Sequence, residues 1–243
     1  MQLTRLDVGT NTSMKPYVVA GGIVRNRGWV LEESILAIRA NAIDALYYVT
    51  GDNVDNTQKI LLDNGIQHTV VNTGFPGYRR GEYHSSNMGF LRQLWVQNVM
   101  AVFPQATHLW SVDSDVIVPS NALENLLSHD KDVIAGYVPV ANNTIPIHMF
   151  GWAEEDGHPM RTGEERHISS QIRRCSLVGA CVLMKRKTIE PLMPVYGVDG
   201  QGEDGFFARV MRENGVDQWV DPVVICEHRM QEPEEWKLKW GVQ

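Results

Sequence analysis

Cysteine is scarce in this chain. Cys175, Cys181 and Cys226 are the whole set, odd in number and without C-x-x-C spacing. That pattern builds neither a disulfide framework nor a structural zinc site, and reduced, buried thiols are the expectation. Long apolar runs are missing too: none approaches the roughly 18 uninterrupted residues of a membrane-crossing helix. Met1 to Arg5 lack the apolar core of a secretion signal, so the reading is a cytoplasmic protein with no membrane span. Basic charge is in deficit, 22 Lys and Arg against 29 Asp and Glu for a net charge of −7, which excludes the dense positive surface that grips nucleic acid backbones. No repeat or low-complexity tract interrupts the chain. No glycine-rich phosphate loop follows its first apolar run, where Arg25-Asn26-Arg27-Gly28 stands instead.

What is present suits one large core: 243 residues, 43% of them hydrophobic. Residues 1–15 are polar and aperiodic and read as a flexible arm, leaving 16–243 as one domain. Tyr17 to Val24 reads as a buried strand. Leu31, Ile35, Ile38 and Ala42 recur at helical spacing, and Ala45 to Thr50 is the next strand. A helix over Thr57 to Asn64 and a strand over Ile66 to Asn72 complete a β-α-β-α-β run. Met88, Leu91, Trp95, Val99 and Val102 mark a long helix, stopped by Pro104 before the strand Leu109 to Val112. Strands are expected at Val133 to Pro139, Leu177 to Met184 and Val223 to Cys226, with a helix at Gly205 to Glu213. Between Ala141 and Ser176 the periodicity fails, and a loop of that length points to function or disorder. The fold class is α/β, with a mostly parallel central sheet and helices on both faces.

Four sites with acidic or imidazole side chains stand at element ends. Asp113-Ser114-Asp115 closes an apolar strand, where two carboxylates one residue apart reach a single divalent cation and its diphosphate. Aspartates at strand ends are also common turn formers. A calcium loop of the EF-hand type is excluded, because Val116, Ile117 and Val118 stand where oxygen ligands would be needed. Glu203-Asp204 opens a helix. Its bland role is capping and dipole complementation; its functional role is general base toward an acceptor hydroxyl, for which Asp204 is the choice. His228 follows the last apolar strand. It reads either as an ordinary edge residue or as an imidazole completing a manganese or magnesium shell. Gly51-Asp52-Asn53 places a further carboxylate outside a strand's carboxyl end, where open α/β sheets bind ligands.

The run Val178 to Arg186, then Glu203-Asp204 with Arg209 and Gly215, then Asp221-Pro222-Val223 and His228, resembles nucleotide-sugar-dependent glycosyltransferases of the GT-A fold, with family 2 the nearest look. Arg25-Asn26 and Asp52-Asn53, with Asp55 and Thr57, are similar to that family's nucleotide-binding segments. Asp113-Ser114-Asp115 sits where its DxD motif sits. The likeness spans residues 17 to 228. The chain also looks like the fungal mannan-polymerase mannosyltransferases, with Arg92 as the matching helix arginine. Where family 2 often has arginine-asparagine on that helix, this chain has Arg92-Gln93.

The resemblance implies a metal-dependent glycosyltransferase that uses a nucleoside-diphosphate sugar, an acceptor hydroxyl and Mn2+ or Mg2+. Residues 16–115 would form the donor half and 116–243 the acceptor half. It implies that Asp52 contacts the base, that Asp113 meets the ribose or a metal water, and that Asp115 and His228 bind the metal. Arg80 and Arg92 would face the diphosphate, with Arg25, Asn26, Asn53 and Ser114 lining the donor site. The acidic pair Glu203-Asp204 would do the chemistry. The family-2 likeness implies inversion with Asp204 as base; the mannosyltransferase likeness implies retention, and inversion is preferred. The competing readings are a sugar-nucleotide nucleotidyltransferase and an inactive sugar- or nucleotide-binding scaffold.

Overall fold

The computed structural model describes residues 15–72, 82–142, 145–148, 154–155, 158–159, 171–197, 202–231 and 233–240. Arg80, nearly all of the arm 1–15 and most of the stretch between Ala141 and Ser176 lie outside the described residues.

The first half alternates strand and helix: β1 (Val18–Val24), α1 (Leu31–Arg39), β2 (Ala45–Thr50), α2 (Thr57–Asp63), β3 (Gln67–Val70), α3 (Glu82–Val102) and β4 (His108–Val112). Then come β5 (Val116–Ile117), α4 (Ala122–Ser128), β6 (Val133–Tyr137), β7 (Pro139–Asn142), β8 (Ile145–His148), β9 (Glu154–Glu155), β10 (His158–Pro159) and β11 (Arg173–Cys175). β12 (Cys181–Lys185), α5 (Arg186–Ile189), α6 (Gly202–Glu213), β13 (Gln218–Ile225), β14 (Glu227–His228) and α7 (Glu234–Trp240) complete the order.

Eight strands form one sheet in the order β11-β13-β6-β12-β4-β1-β2-β3. β4, β1, β2 and β3 are mutually parallel, and every residue of β1 is buried, as a strand covered on both faces demands. β12 runs against both β4 and β6, β13 is parallel to β6, and β11 is an antiparallel edge. The sheet is therefore mostly parallel, with β12 and β11 reversed.

The two faces are covered by different helices. Trp95, Val96 and Val99 of α3 and Phe207, Val210 and Met211 of α6 pack on Val19, Tyr47, Leu109, Val133 and Val182. On the other face, Ile38 of α1 and Leu123 and Leu126 of α4 meet Val18, Trp110, Ile134 and Leu183, while Leu31, Ile35, Ile60 and Leu61 cover Val24 and Tyr48. β1 approaches β2 so closely at Gly21, whose φ is +130°, that a Cβ there would lie 2.0 Å from Tyr47 O.

Several boundaries differ from the sequence expectation, each for a local reason. α3 begins at Glu82, six residues before the apolar stripe that announced it at Met88. The strand expected from Leu177 starts only at Cys181, because Ala180 takes a left-handed conformation at φ +59° and breaks the extended run. β13 starts at Gln218, five residues before the expected Val223, drawn into the sheet by β6 and β11. Ala42 falls outside α1, which ends at Arg39. Helix α4 and the short α7 were not expected at all.

Candidate active site

The carboxyl ends of β1, β2 and β4 lie on one side of the sheet, and the reversed β12 adds its amino end there. Register makes this concrete: Cys181 pairs with Val112, so Gly179-Ala180 lies beside the residue that follows β4. Asp113 N donates to Ala180 O at 2.7 Å, and Val116 N donates to Asp113 O, closing a turn over Ser114, which is 7% exposed.

Arg92 is the hub. It projects from α3 almost wholly buried, donates from Nη2 to Asp113 Oδ1 at 2.8 Å, and holds Nε 3.9 Å from Glu203 Oε1. Burial alone disfavours its charge, but Asp113, Asp204, Tyr196 and Glu203 more than offset that and lift its pKa above the ordinary arginine value. Glu203 and Asp204 occupy the first turn of α6. Burial, opposed by Arg92 and reinforced by Glu203 and Asp113, pushes Asp204 up to about 7. Asp204 as a residue is intermediate in exposure, although its carboxyl is the buried part. Gly179 makes room for this carboxylate: a Cβ there would lie 2.9 Å from Asp204 Oδ2.

A second group forms two residues on. Arg27 Nε donates to Asp115 Oδ2 at 3.2 Å, and His228 Nε2 stands 3.6 Å from Asp115 Oδ1. His228 is delivered by pairing of β14 with β5, where His228 faces Val116, and Arg229 N donates to Asp115 O. Burial raises Asp115, but His228 and Arg27 outweigh it and hold the carboxyl below its usual range. Among the described residues no group of three or more His, Cys, Asp or Glu forms a metal cage. The carboxylate of Asp115 and the imidazole of His228 are donor types that a divalent cation such as manganese accepts. Their 3.6 Å separation is too long for a hydrogen bond, and His228 Nδ1 is buried without a partner.

The loops after β1 and β2 lock together beneath these groups. Asn26, at φ +50°, donates from N to Asn53 Oδ1 and accepts from Val54 N at its own Oδ1, both at 2.9 Å. Asn53 Nδ2 donates to Thr50 Oγ1, Arg25 Nε donates to Asp52 O, and Gly28 N donates to Asp55 Oδ2. Asp52 itself sits at φ +48° with N on Asn72 Oδ1. The side chains of Asn26 and Asn53 are thus engaged in shaping the loops. Of the predicted residues, the structure gathers Arg92, Asp113, Glu203 and Asp204 in one cluster and Asp115 with His228 in an adjoining one. Arg25, Asn26, Asp52 and Asn53 lie in the interlocked loops.

Two residues of this region were given no role by the sequence. Arg27 carries no spacing signal beyond its place after β1, and Gln93 stood out only as a departure from the arginine-asparagine of family 2. Both are defined by partners 88 or more residues away.

No protein-family model and no curated protein sequence matches the chain. Solved structures do. S. aureus TarS 1-349 in complex with UDP-GlcNAc is 14% identical, with a TM-score of 0.57 over 91% of this chain and 60% of that one. The mannosyltransferase PcManGT from Pyrobaculum calidifontis, in complex with GDP-Man and Mn2+, is 17% identical, with a TM-score of 0.53 over 97% of this chain and 64% of that one. A 4-diphosphocytidyl-2C-methyl-D-erythritol synthase is 14% identical, with a TM-score of 0.51 over 93% of this chain and 98% of that one. The chain thus spans less than two thirds of the TarS and PcManGT structures. No helix among the described residues is long and apolar enough to cross a membrane. By its sheet, its helices and these neighbours, the chain has a GT-A-like fold of the kind seen in nucleotide-sugar enzymes.

Proposed function

We propose that the chain is a glycosyltransferase that moves a sugar from a nucleoside-diphosphate donor to an acceptor hydroxyl, with inversion. The observation that carries this reading is the meeting at Arg92 of Asp113, from the end of β4, and Glu203, from the start of α6, with Asp204 beside them near pKa 7. A carboxyl poised there changes protonation at the pH of the reaction, which is what a general base needs. Asp204 takes the proton of the acceptor hydroxyl as its oxygen attacks the anomeric carbon and the bond to the diphosphate breaks. Residues 16–115 serve the donor and 116–243 the acceptor, except that His228 reaches back to the donor side. Asp115 and His228 would hold Mn2+ or Mg2+, whose chemistry when bound is to neutralise charge on the departing nucleoside diphosphate. Arg27 adds positive charge beside Asp115, and Arg92 beside Asp113.

The test is to incubate the protein with manganese, a panel of nucleoside-diphosphate sugars and simple hydroxyl acceptors, and to read nucleoside diphosphate and the anomeric configuration of the product. Transfer with inversion is expected. Retention would remove Asp204 from its role as base. Pyrophosphate formed from a nucleoside triphosphate and a sugar phosphate would favour a nucleotidyltransferase, and tight nucleotide binding without turnover a scaffold.

Two expected results follow from geometry. Asp115→Asn removes the one charged protein ligand proposed for the cation and breaks the Arg27 ion pair, so manganese-dependent donor binding should weaken by about 10-fold or more in calorimetry, while metal-free nucleotide binding changes little. Gly179→Ala places a methyl 2.9 Å from Asp204 Oδ2, and a carboxylate yields more easily than backbone. Its kcat should fall about 10- to 100-fold with donor KM held, since small misplacement of a reacting group is costly. A loss confined to KM would contradict the placement of Asp204 at the acceptor.

A further inference from the structure

We propose that Gln93 is a positioning residue for Asp204, acting through residues 195–197, which pack against α6; the proposal rests on the glycosyl-transfer reading above for its kinetic readout. Gln93 is 8% exposed on α3, next to the hub arginine. Its Oε1 accepts from both Val195 N at 2.9 Å and Tyr196 N at 3.0 Å, while Nε2 donates to Met193 Sδ at 3.4 Å. One carbonyl oxygen with two lone pairs thus satisfies two buried backbone donors in a stretch that has no strand or helix of its own to satisfy them.

That stretch is coupled to α6. The Tyr196 ring stacks on Phe207, one helical turn past Asp204, with centroids 5.0 Å apart and planes 20° from parallel. Gly197 lies directly under Phe206, so close that a Cβ would sit 2.8 Å from the ring. Consecutive residues of α3 therefore reach two parts that pack on or begin α6: Gln93 bonds 195–196, and Arg92 pairs with Glu203. Glutamine suits the position because it reaches from the helix axis and accepts twice without a charge that would repel the neighbouring carboxylates.

Gln93→Met removes the acceptor and keeps the bulk. Per folded molecule, kcat should fall about 10- to 100-fold with donor KM within about threefold, because misplacement of the base, not of the donor, is the defect. Gln93→Asn, one methylene shorter, should fall between, and serves if the methionine variant does not fold. Val99→Ala, fully buried on the same helix, is the control for lost stability alone and should leave kcat unchanged. Without any donor, amide exchange at Val195 and Tyr196 should accelerate and the Asp204 carboxyl carbon-13 resonance should move in both Gln93 variants but not in the control. Unchanged resonances would overturn the proposal. Shifted resonances in a protein that transfers no sugar would support the positioning role and overturn only the functional reading.

Discussion

Asp204→Asn is expected to cost about 10²- to 10⁴-fold in kcat, the usual contribution of a positioned base, while donor affinity stays within about threefold and the protein becomes more stable at alkaline pH. The sign of the stability change follows from the pKa. Asp204 lies at about 7 in the folded chain against an ordinary 3.8, so the folded state keeps a proton that the unfolded chain gives up first. Stability is therefore whole below the lower value, drains away as pH rises between the two, and stays lost above 7. Asparagine carries no charge at any pH and escapes that loss. A shift of this size corresponds to about 4 kcal/mol at most, and relaxation around a residue that is not wholly buried reduces it to about 2 kcal/mol. For a chain of this length Tm at pH 8 should then rise by about 4–8 °C. Near pH 4 wild type and variant should melt together. Equal gains at both pH values would mean that the stabilisation has nothing to do with ionisation of Asp204. In the wild type, kcat should climb with pH through a midpoint near 7, and this dependence should vanish in whatever activity the variant retains.

The parts of this architecture that depend on short-range pattern are visible in the residues themselves. Val18 to Val24 and Ala45 to Thr50 are apolar enough to be buried strands, Leu31, Ile35 and Ile38 recur at helical spacing, and the acids at Asp113, Asp115, Glu203 and Asp204 stand at element ends, where side chains can reach a ligand. Direction is not visible. Cys181 to Lys185 is as apolar as any parallel strand, and only its pairing with both β4 and β6 shows that it runs backwards. That reversal matters, because it brings Gly179 and Ala180 to the end of β4 and so to Asp113 and Asp204. Long-range roles are equally silent. Arg27 became a partner of Asp115 through a contact 88 residues away, and Gln93 reaches residues more than 100 positions on. A glutamine on a helix gives no sign of whether it faces water or two orphaned amides. The short helix α4, with Ala122, Leu123 and Leu126 inward, offers too few turns for a periodic signal, although its contact with Ile134 closes one face of the core.

The converse experiment is to remove the positive charge that binds the acids together. Arg92→Met keeps much of the buried stem but leaves Asp113 without its 2.8 Å partner and Glu203 and Asp204 without a neighbouring cation. Removing one side of a buried ionic network costs about 3–5 kcal/mol, which for a chain of this size lowers Tm by roughly 6–20 °C. The loss has a pH signature. At low pH Asp204 is protonated and the cluster carries less negative charge, so the variant should lie closest to wild type there; as pH rises the deficit should widen. With Arg92 gone, the influence that pulls Asp204 downward disappears, while burial, Glu203 and Asp113 still push it up. The midpoint of any residual transfer activity should therefore move above 7, opposite in character to the pH-independent remnant of Asp204→Asn. In the double variant Arg92→Met/Asp204→Asn, the stability loss should be smaller than the sum of the two single effects predicts, because one of the charges that Arg92 neutralises is no longer present. Strict additivity would show that Arg92 and Asp204 do not act on one another, and would break the electrostatic link on which the assignment of Asp204 as base rests.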